Sequence, residues 1–266
     1  MDLRTMKAQL KGVERTLLYT LYFRALDARS AHPIVGDAWA EDVLARVEHS
    51  PWKIRMAAGD RFLGILRARK IDDWTRAHLA AYPDTTVLHL GCGLDSRVFR
   101  LDPPPTVRWY DVDYPDVIAL RRELYPERAG TETVPTSVTA PGWLERLPAG
   151  GPVLVVAEGL FMYLREGDIR RLLQQVAARY PTGQVVFDTL SPWMAATGRL
   201  FGFTLWPLAD PRRLERWDAR LHLIEEIPTI WSVEHVTGPL FRLAYRIRAL
   251  REGMHLLRYR LGNADV

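Results

Sequence analysis

The chain has 266 residues, 48% of them hydrophobic and 26% charged, which suits one large core or a core with an appended piece. Its 36 Lys and Arg against 32 Asp and Glu leave a net charge of +4, too small and scattered to argue for nucleic acid, with room for an anionic substrate. A single cysteine, Cys92, rules out an intrachain disulfide, and no run of about 18 apolar residues announces a membrane-spanning helix.

Charged residues precede the first apolar run, unlike a secretory signal, so a cytoplasmic setting is expected. Residues 1 to about 83 read as helical. Leu17, Leu18, Leu21, Tyr22 and Ala25 recur at helical spacing up to His32-Pro33, and a second helix is expected from Ala38 to about His49. A longer pattern follows Pro51, with Ile54, Ala58, Phe62, Ile65 and Leu66 on one face, and runs through Trp74 towards Tyr82. No Gly/Ser-rich linker separates this stretch from Val87, so residues 1–83 are expected to form a helical cap on a core of residues 84–266. Arg67, Arg69, Asp72 and Asp73 read, on pattern alone, as a solvated helix face.

From Val87 strands and helices alternate. Val87 to Leu90 is an apolar run that stops at Gly91, with Gly93 one residue further on, and a helix is expected from about Asp95. Cys92, inside this turn, reads as a small filler. Val107–Val112 is a short strand ending at Asp111 and Asp113, followed by a helix from about Asp116 to Leu124. A third strand lies around Val134. Val153–Ala157 has the unbroken apolar character of a buried parallel strand and ends at Glu158. A helix over Arg165–Tyr180 and a strand over Gln184–Thr189 come next, and repeated βα units of this length give a parallel sheet with right-handed crossovers. Residues 191–217 then carry Trp193, Phe201, Phe203, Trp206 and Trp217, interrupted by glycines and prolines, as expected of an inserted aromatic lid. Strands over Leu221–Trp231 and Met254–Leu261, around one helix from Leu240 to Leu250, complete the chain.

In an open parallel sheet the ligand lies beyond the carboxyl ends of the strands, at the switch point. Gly91 and Gly93 end the first strand there, where a backbone without Cβ lets a ligand approach. Asp113 ends the second, about twenty residues on, where an acid accepts from ribose hydroxyls. Glu158 ends the fourth, and an acid against an apolar strand needs a partner. No third glycine completes Gly-Cys-Gly-Leu-Asp-Ser, which disfavours a dinucleotide and fits a mononucleoside-like cofactor such as S-adenosylmethionine.

Three ordered stretches carry a resemblance: Leu-Gly-Cys-Gly-Leu-Asp-Ser-Arg at 90–97, Asp-Val-Asp-Tyr-Pro-Asp-Val-Ile at 111–118 and Glu-Gly-Leu-Phe-Met-Tyr-Leu at 158–164. Together they resemble the leucine carboxyl methyltransferase family, in its bacterial polyketide-type O-methyltransferase branch, from about Tyr22 to the C-terminus. The resemblance implies a class I methyltransferase fold: an α/β architecture with a seven-stranded, mostly parallel sheet whose last strand is antiparallel. It also implies S-adenosylmethionine as methyl donor, and it calls for no metal. Residue by residue, it places Gly91 under the methionine part of the cofactor, Asp113 at the ribose and Glu158 near the methionine amino group. It assigns the cofactor carboxylate to Arg67, in Arg-Ala-Arg-Lys-Ile-Asp-Asp, a bidentate contact that suits a guanidinium. Arg24 matches a further basic residue of the N-terminal helix. Where the family has Asp-Leu at the adenine, this chain has Ser137-Val138, and His89 replaces a polar residue of the first strand as a structural group.

Methyl transfer to oxygen is the reaction this implies, on a small aromatic or anionic acceptor, without nucleic acid or membrane and with the oligomeric state open. Holding the oxygen in line with the methyl group can supply about 7–11 kcal/mol. A carboxylate acceptor is already ionised, whereas a phenol, with pKa near 10, gains from a base. Candidates for that base are His235, His32 and Asp188, and Tyr163 matches a family tyrosine that could orient the acceptor. Arg199, Arg242 and Arg246 are candidates to meet an anionic substrate. The alternatives are carboxyl methylation of a peptide or protein C-terminus, a non-catalytic cofactor-binding protein, and a dinucleotide oxidoreductase, against which the missing third glycine and Glu158 both speak.

Overall fold

A computed structural model describes residues 16–47, 61–236 and 239–262. Among these, α1 (Thr16–Ala28), α2 (Ala38–Arg46) and α3 (Arg61–Ala81) precede the sheet. Asp37 caps α2 by accepting from Trp39 N–H, and Arg46 in its last turn donates to the carbonyls of Glu123 and Leu124. The stretch from α2 to His49, and the part of the third helical pattern on Pro51, Ile54 and Ala58, lie largely outside the described residues.

The sheet has seven strands in the order β3-β2-β1-β4-β5-β7-β6. They are β1 (Thr86–Leu90), β2 (Arg108–Asp113), β3 (Thr131–Pro135), β4 (Pro152–Ala157), β5 (Thr182–Leu190), β6 (Leu221–Pro228) and β7 (Met254–Leu261). The first five run parallel, and β7 inserts antiparallel between β5 and β6. The expected seven-stranded, mostly parallel architecture is therefore present. Its order reverses between β1 and β4, which puts the crevice at the ends of those two strands.

Both faces of the sheet are covered, which is why β4 is apolar along its length and β1 is apolar but for Thr86 and His89. Val87, Leu154, Val156 and Val186 meet Ile71 and Trp74 of α3 on one face. Leu88, Leu90, Val155 and Phe187 meet α6 (Glu166–Arg179) through Ile169, Leu172 and Val176 on the other. Helices α1 and α2 pack by Leu21, Ala40 and Val43 on Leu94 of the glycine turn and on Leu120 and Leu124 of α5 (Pro115–Leu124).

Three boundaries differ from expectation, each for a local reason. The helix after β1, α4 (Arg97–Leu101), starts two residues late and is short, because Asp102 turns left-handed (φ +45°) and three prolines follow. Strand β6 stops at Pro228, which has no N–H for the ladder. The single helix expected over Leu240–Leu250 is two, α7 (Pro239–Ala244) and α8 (Arg248–Arg251), with Ile247 extended between them. Tyr245 is buried against Phe62 and Leu66, but Leu243, Ile247 and Leu250 are exposed, so no packed stripe supports a continuous helix.

Candidate functional site

At the carboxyl end of β1 the chain turns through Gly91 and Gly93, both at positive φ (+62° and +51°). Gly91 N–H donates to Val112 O, and a Cβ there would be strained by the positive φ and would lie 3.0 Å from the Leu160 side chain, which would have to shift. Asp113, at the end of β2, accepts from Gly93 N–H (2.8 Å) and Tyr114 N–H (2.7 Å). Burial raises its carboxyl above the ordinary range, and these two N–H groups only partly offset that. Two of the sequence candidates thus share one turn.

Arg67 and Glu158 meet across the crevice. Arg67, on α3, donates Nε–H to Glu158 Oε1 (3.0 Å) and Nη1–H to Asp188 Oδ2 (2.9 Å). Both side chains of the Arg67–Glu158 pair are 9% exposed, so the pair borders the crevice, whereas Asp188 is fully buried. Burial opposes charge on Glu158, but Arg67 and Arg97 outweigh it and hold the carboxyl below its usual range. At Asp188 burial outweighs Arg67 and the carboxyl is raised. Its other oxygen accepts from Gly159 N–H (2.5 Å). As a candidate base Asp188 is not placed for the role: with both oxygens bound and no exposure it does not face an acceptor.

Beneath this pair lies a set of ions that the sequence reading missed. Arg97, fully buried on α4, donates to Glu158 Oε2 (2.5 Å) and to Asp72 Oδ1 (2.7 Å), and lies 3.3 Å from Asp95. Arg100 bonds both oxygens of Asp72 and pairs with Asp95. Burial opposes ionisation of Asp72, yet the two arginines hold its carboxyl low. Asp72 is therefore an interior anchor, and only Arg69 and Asp73 keep the solvated role expected of the four charges on α3, pairing at 3.0 Å on the surface. The signal available was position: Asp95, Arg97 and Arg100 come directly after a buried glycine turn.

Arg24 is brought close but committed: it donates to Asp37 (3.0 Å) and to Leu94 O (2.8 Å), bracing the far side of the glycine turn. His89 bonds Asp111 through Nδ1 (2.8 Å), deep in the sheet, in keeping with a structural role. Burial pushes the Cys92 thiol well up, and its side chain fills the turn. Ser137 stands just beyond β3 with its hydroxyl against Thr139 (2.9 Å).

The other side of the crevice is made by the segment after β5. Tyr163 lies in the short turn Phe161–Tyr163 beyond Glu158, edge-on to Phe203 at 6.1 Å. Trp206 donates its backbone N–H to Met162 O (2.8 Å) and its indole N–H to Glu166 (3.2 Å), and Leu208 N–H bonds Leu190 O. The aromatic segment is thereby stitched to the turn after β4. Trp193 is 40% exposed, whereas Trp217 joins the core below. His235 is exposed and bonds Ser232 Oγ (2.7 Å) beside Trp231, and His32 is exposed too. A cavity of about 620 Å³ lies elsewhere, behind β2 and β3, lined by Phe99, Arg122, Tyr125 and Thr133 among others and by none of the crevice residues.

Known proteins match this arrangement. The family model for leucine carboxyl methyltransferase matches residues 18–177. The chain is 49% identical over 217 residues to the tetracenomycin polyketide synthesis O-methyltransferase TcmP of Streptomyces glaucescens, covering 78% of this chain and 79% of that one. It is 29% identical over 275 residues to the S-adenosyl-L-methionine-dependent methyltransferase dpfgK of Gibberella zeae, over 90% and 91% of the two chains. Among solved structures, the N-methyltransferase NodS of Bradyrhizobium japonicum in complex with S-adenosyl-L-homocysteine aligns with a TM-score of 0.50 at 15% identity, covering 86% of this chain and 99% of that one, a likeness of fold. The chain belongs to the leucine carboxyl methyltransferase family.

Proposed function

From that membership and the geometry of the crevice, we propose that this chain is an S-adenosylmethionine-dependent O-methyltransferase acting on a carboxylate or phenolic hydroxyl of a small, natural-product-like molecule. The observation that carries the reading is the meeting of Arg67 with Glu158 at the strand ends, beside Gly91 and Asp113. These residues suit the cofactor's parts. Asp113 offers a carboxylate to two ribose hydroxyls, and Ser137 a hydroxyl at the adenine side. Gly91 leaves backbone bare under the methionine chain. Arg67 and Glu158 offer opposite charges to an amino-acid end. Arg24 acts here at one remove, by holding Leu94 and the turn.

When bound, the cofactor supplies an electrophilic methyl group on a sulfonium. The chain's part is to orient the acceptor and to exclude water. We assign the second task to helices α1–α3 of the expected cap and to the lid segment of about 191–217, which is tied to the turn after β4 through Trp206. Tyr163 orients the acceptor from beneath that lid. An aromatic or anionic acceptor is favoured, because the partly buried aromatic residues Tyr163, Phe203 and Trp206 gather beside the turn after β4. A carboxylate acceptor needs no base, which accords with Asp188 buried and ion-paired and His235 turned to Ser232. A cytoplasmic setting is part of the proposal, supported by a lone, buried thiol.

The test is incubation of the purified chain with S-adenosylmethionine and a panel of aromatic acids, phenols and peptides, read by mass spectrometry. The proposal expects an acid or phenol to gain one methyl group. Methylation of peptide C-termini alone, or of nothing in the panel while cofactor binds, would favour the alternatives.

A further inference from the structure

The crevice pair is one segment of a longer, buried alternation of charge. Asp188 binds Arg67, Arg67 binds Glu158, Glu158 binds Arg97, and Arg97 binds Asp72. Contacts of Arg100 and Arg24 with Asp95 and Asp37 continue it beneath the glycine turn. In this network four guanidinium groups face five carboxyl groups. The joined pair of Asp111 and Arg121, reached through His89, leaves the difference unchanged. Asp72, Asp95, Asp37 and Glu158 each lie within 4.0 Å of two or more arginines. Among the described residues Asp188 has only Arg67, which it shares with Glu158. The contacts also differ in exposure. Arg97 and Asp72 are at most 1% exposed, as is Asp188, whereas Arg67 and Glu158 reach 9%.

We propose that Asp188 and Arg97 are positioning residues for the two ends of a zwitterion: they hold Arg67 and Glu158 from behind, so that the Arg67–Glu158 contact is the one that opens to admit a ligand's carboxylate and ammonium together. Inserting both charges between Arg67 and Glu158 keeps the alternation, with the carboxylate on Arg67 and the ammonium on Glu158. Inserting one charge alone breaks it by setting two like charges side by side at a nearly buried site, an anion against Glu158 or a cation against Arg67, which is costly. Asp188 keeps Arg67 from following the incoming anion outward. It is itself fixed by Gly159 N–H, in a turn where Gly159 has φ +64° and a Cβ would lie 3.5 Å from the Arg67 guanidinium. Arg97 does the same for Glu158 from below, through Asp72. The inference rests on the cofactor reading above and adds to it that the amino-acid end is recognised as a charge pair, through two residues that do not touch it.

The test compares two ligands by calorimetric titration. S-adenosylhomocysteine carries both charges; 5′-methylthioadenosine has the same nucleoside and neither charge. Asp188→Asn keeps the shape and an oxygen for Gly159 N–H but removes the charge. The expected result is that Asp188→Asn weakens S-adenosylhomocysteine at least about 10-fold and changes 5′-methylthioadenosine by less than about threefold. Arg97→Gln, which removes the charge behind Glu158, is read the same way, and it stands in should Asp188→Asn not fold. Equal weakening of both ligands would show a merely structural role and overturn the inference, as would an unchanged ratio. Wild-type protein binding neither ligand would overturn the cofactor reading and the inference with it.

Discussion

Strand ends supply the side of the crevice around Gly91, Asp113 and Glu158, whereas a loop supplies the side around Tyr163 and Trp206. On the first side the key atoms are backbone N–H groups and carboxylates fixed by β1, β2 and β4, with Arg67 braced by an ionic floor. On the second, contact is by aromatic faces held through a few backbone bonds between residues 162 and 208. The difference separates what is constant in the reaction from what varies. On the proposed function, a fixed cofactor is met by fixed strand ends, and the acceptor by a segment free to differ in sequence without disturbing the sheet.

Substitutions should divide along the same line. The largest effect is expected below the cofactor side. Asp72→Asn leaves Arg97 and Arg100 buried without their shared carboxylate, and should cost about 3–5 kcal/mol in urea unfolding at neutral pH. Because the arginines hold the Asp72 carboxyl below its ordinary 3.8 in the fold, its contribution is present above about pH 4 and is lost as pH falls through the lower folded value. The gap between wild type and Asp72→Asn should therefore narrow in acid. Next, Asp113→Ala should weaken S-adenosylhomocysteine binding by about 100-fold in calorimetry, through lost hydrogen bonds to two hydroxyls, with a smaller loss in unfolding, about 1–2 kcal/mol, from the Gly93 and Tyr114 N–H groups it accepts.

On the acceptor side, Trp206→Ala should raise the acceptor KM about 10-fold or more by loosening the lid, and leave the S-adenosylhomocysteine Kd within about twofold. Tyr163→Phe should lower kcat by up to about 10-fold with the same cofactor Kd, as removal of one orienting hydroxyl. A lid variant that weakened cofactor and acceptor equally would erase the distinction between the two sides. The smallest effect belongs to the outer face of α3: Arg69→Ala, which removes a surface ion pair, should change stability by less than about 1 kcal/mol and neither constant.

How much of this was legible depends on what each residue answers to. The strands and the glycine turn are local matters: an apolar run, two glycines and an acid at each strand end announce themselves in a few residues. The motif order then carried Arg67, Asp113 and Glu158 to one crevice. Helix α3 shows where such reading stops. Arg67, Arg69, Asp72 and Asp73 look alike in sequence, yet Arg67 and Asp72 are buried and Arg69 and Asp73 are not, because only the first two face partners contributed by α4, β4 and β5. Those partners are distant in the chain, so no spacing within α3 could sort the four. The same holds for Arg97, whose significance lies in meeting Glu158 across 61 residues, and for Arg24, whose partner Asp37 also caps α2. The broken helix at Ile247 escaped for the opposite reason: its apolar residues have helical spacing, but Leu243, Ile247 and Leu250 are exposed and only Tyr245 packs inward.

The most direct test of the central claim is calorimetric titration of the wild-type chain with S-adenosylhomocysteine and with NADH, repeated on Arg67→Ala. The account predicts that the adenosyl-sulfur ligand binds, that NADH does not, and that Arg67→Ala loses most of the affinity. Binding of NADH, or full affinity for S-adenosylhomocysteine in Arg67→Ala, would contradict it.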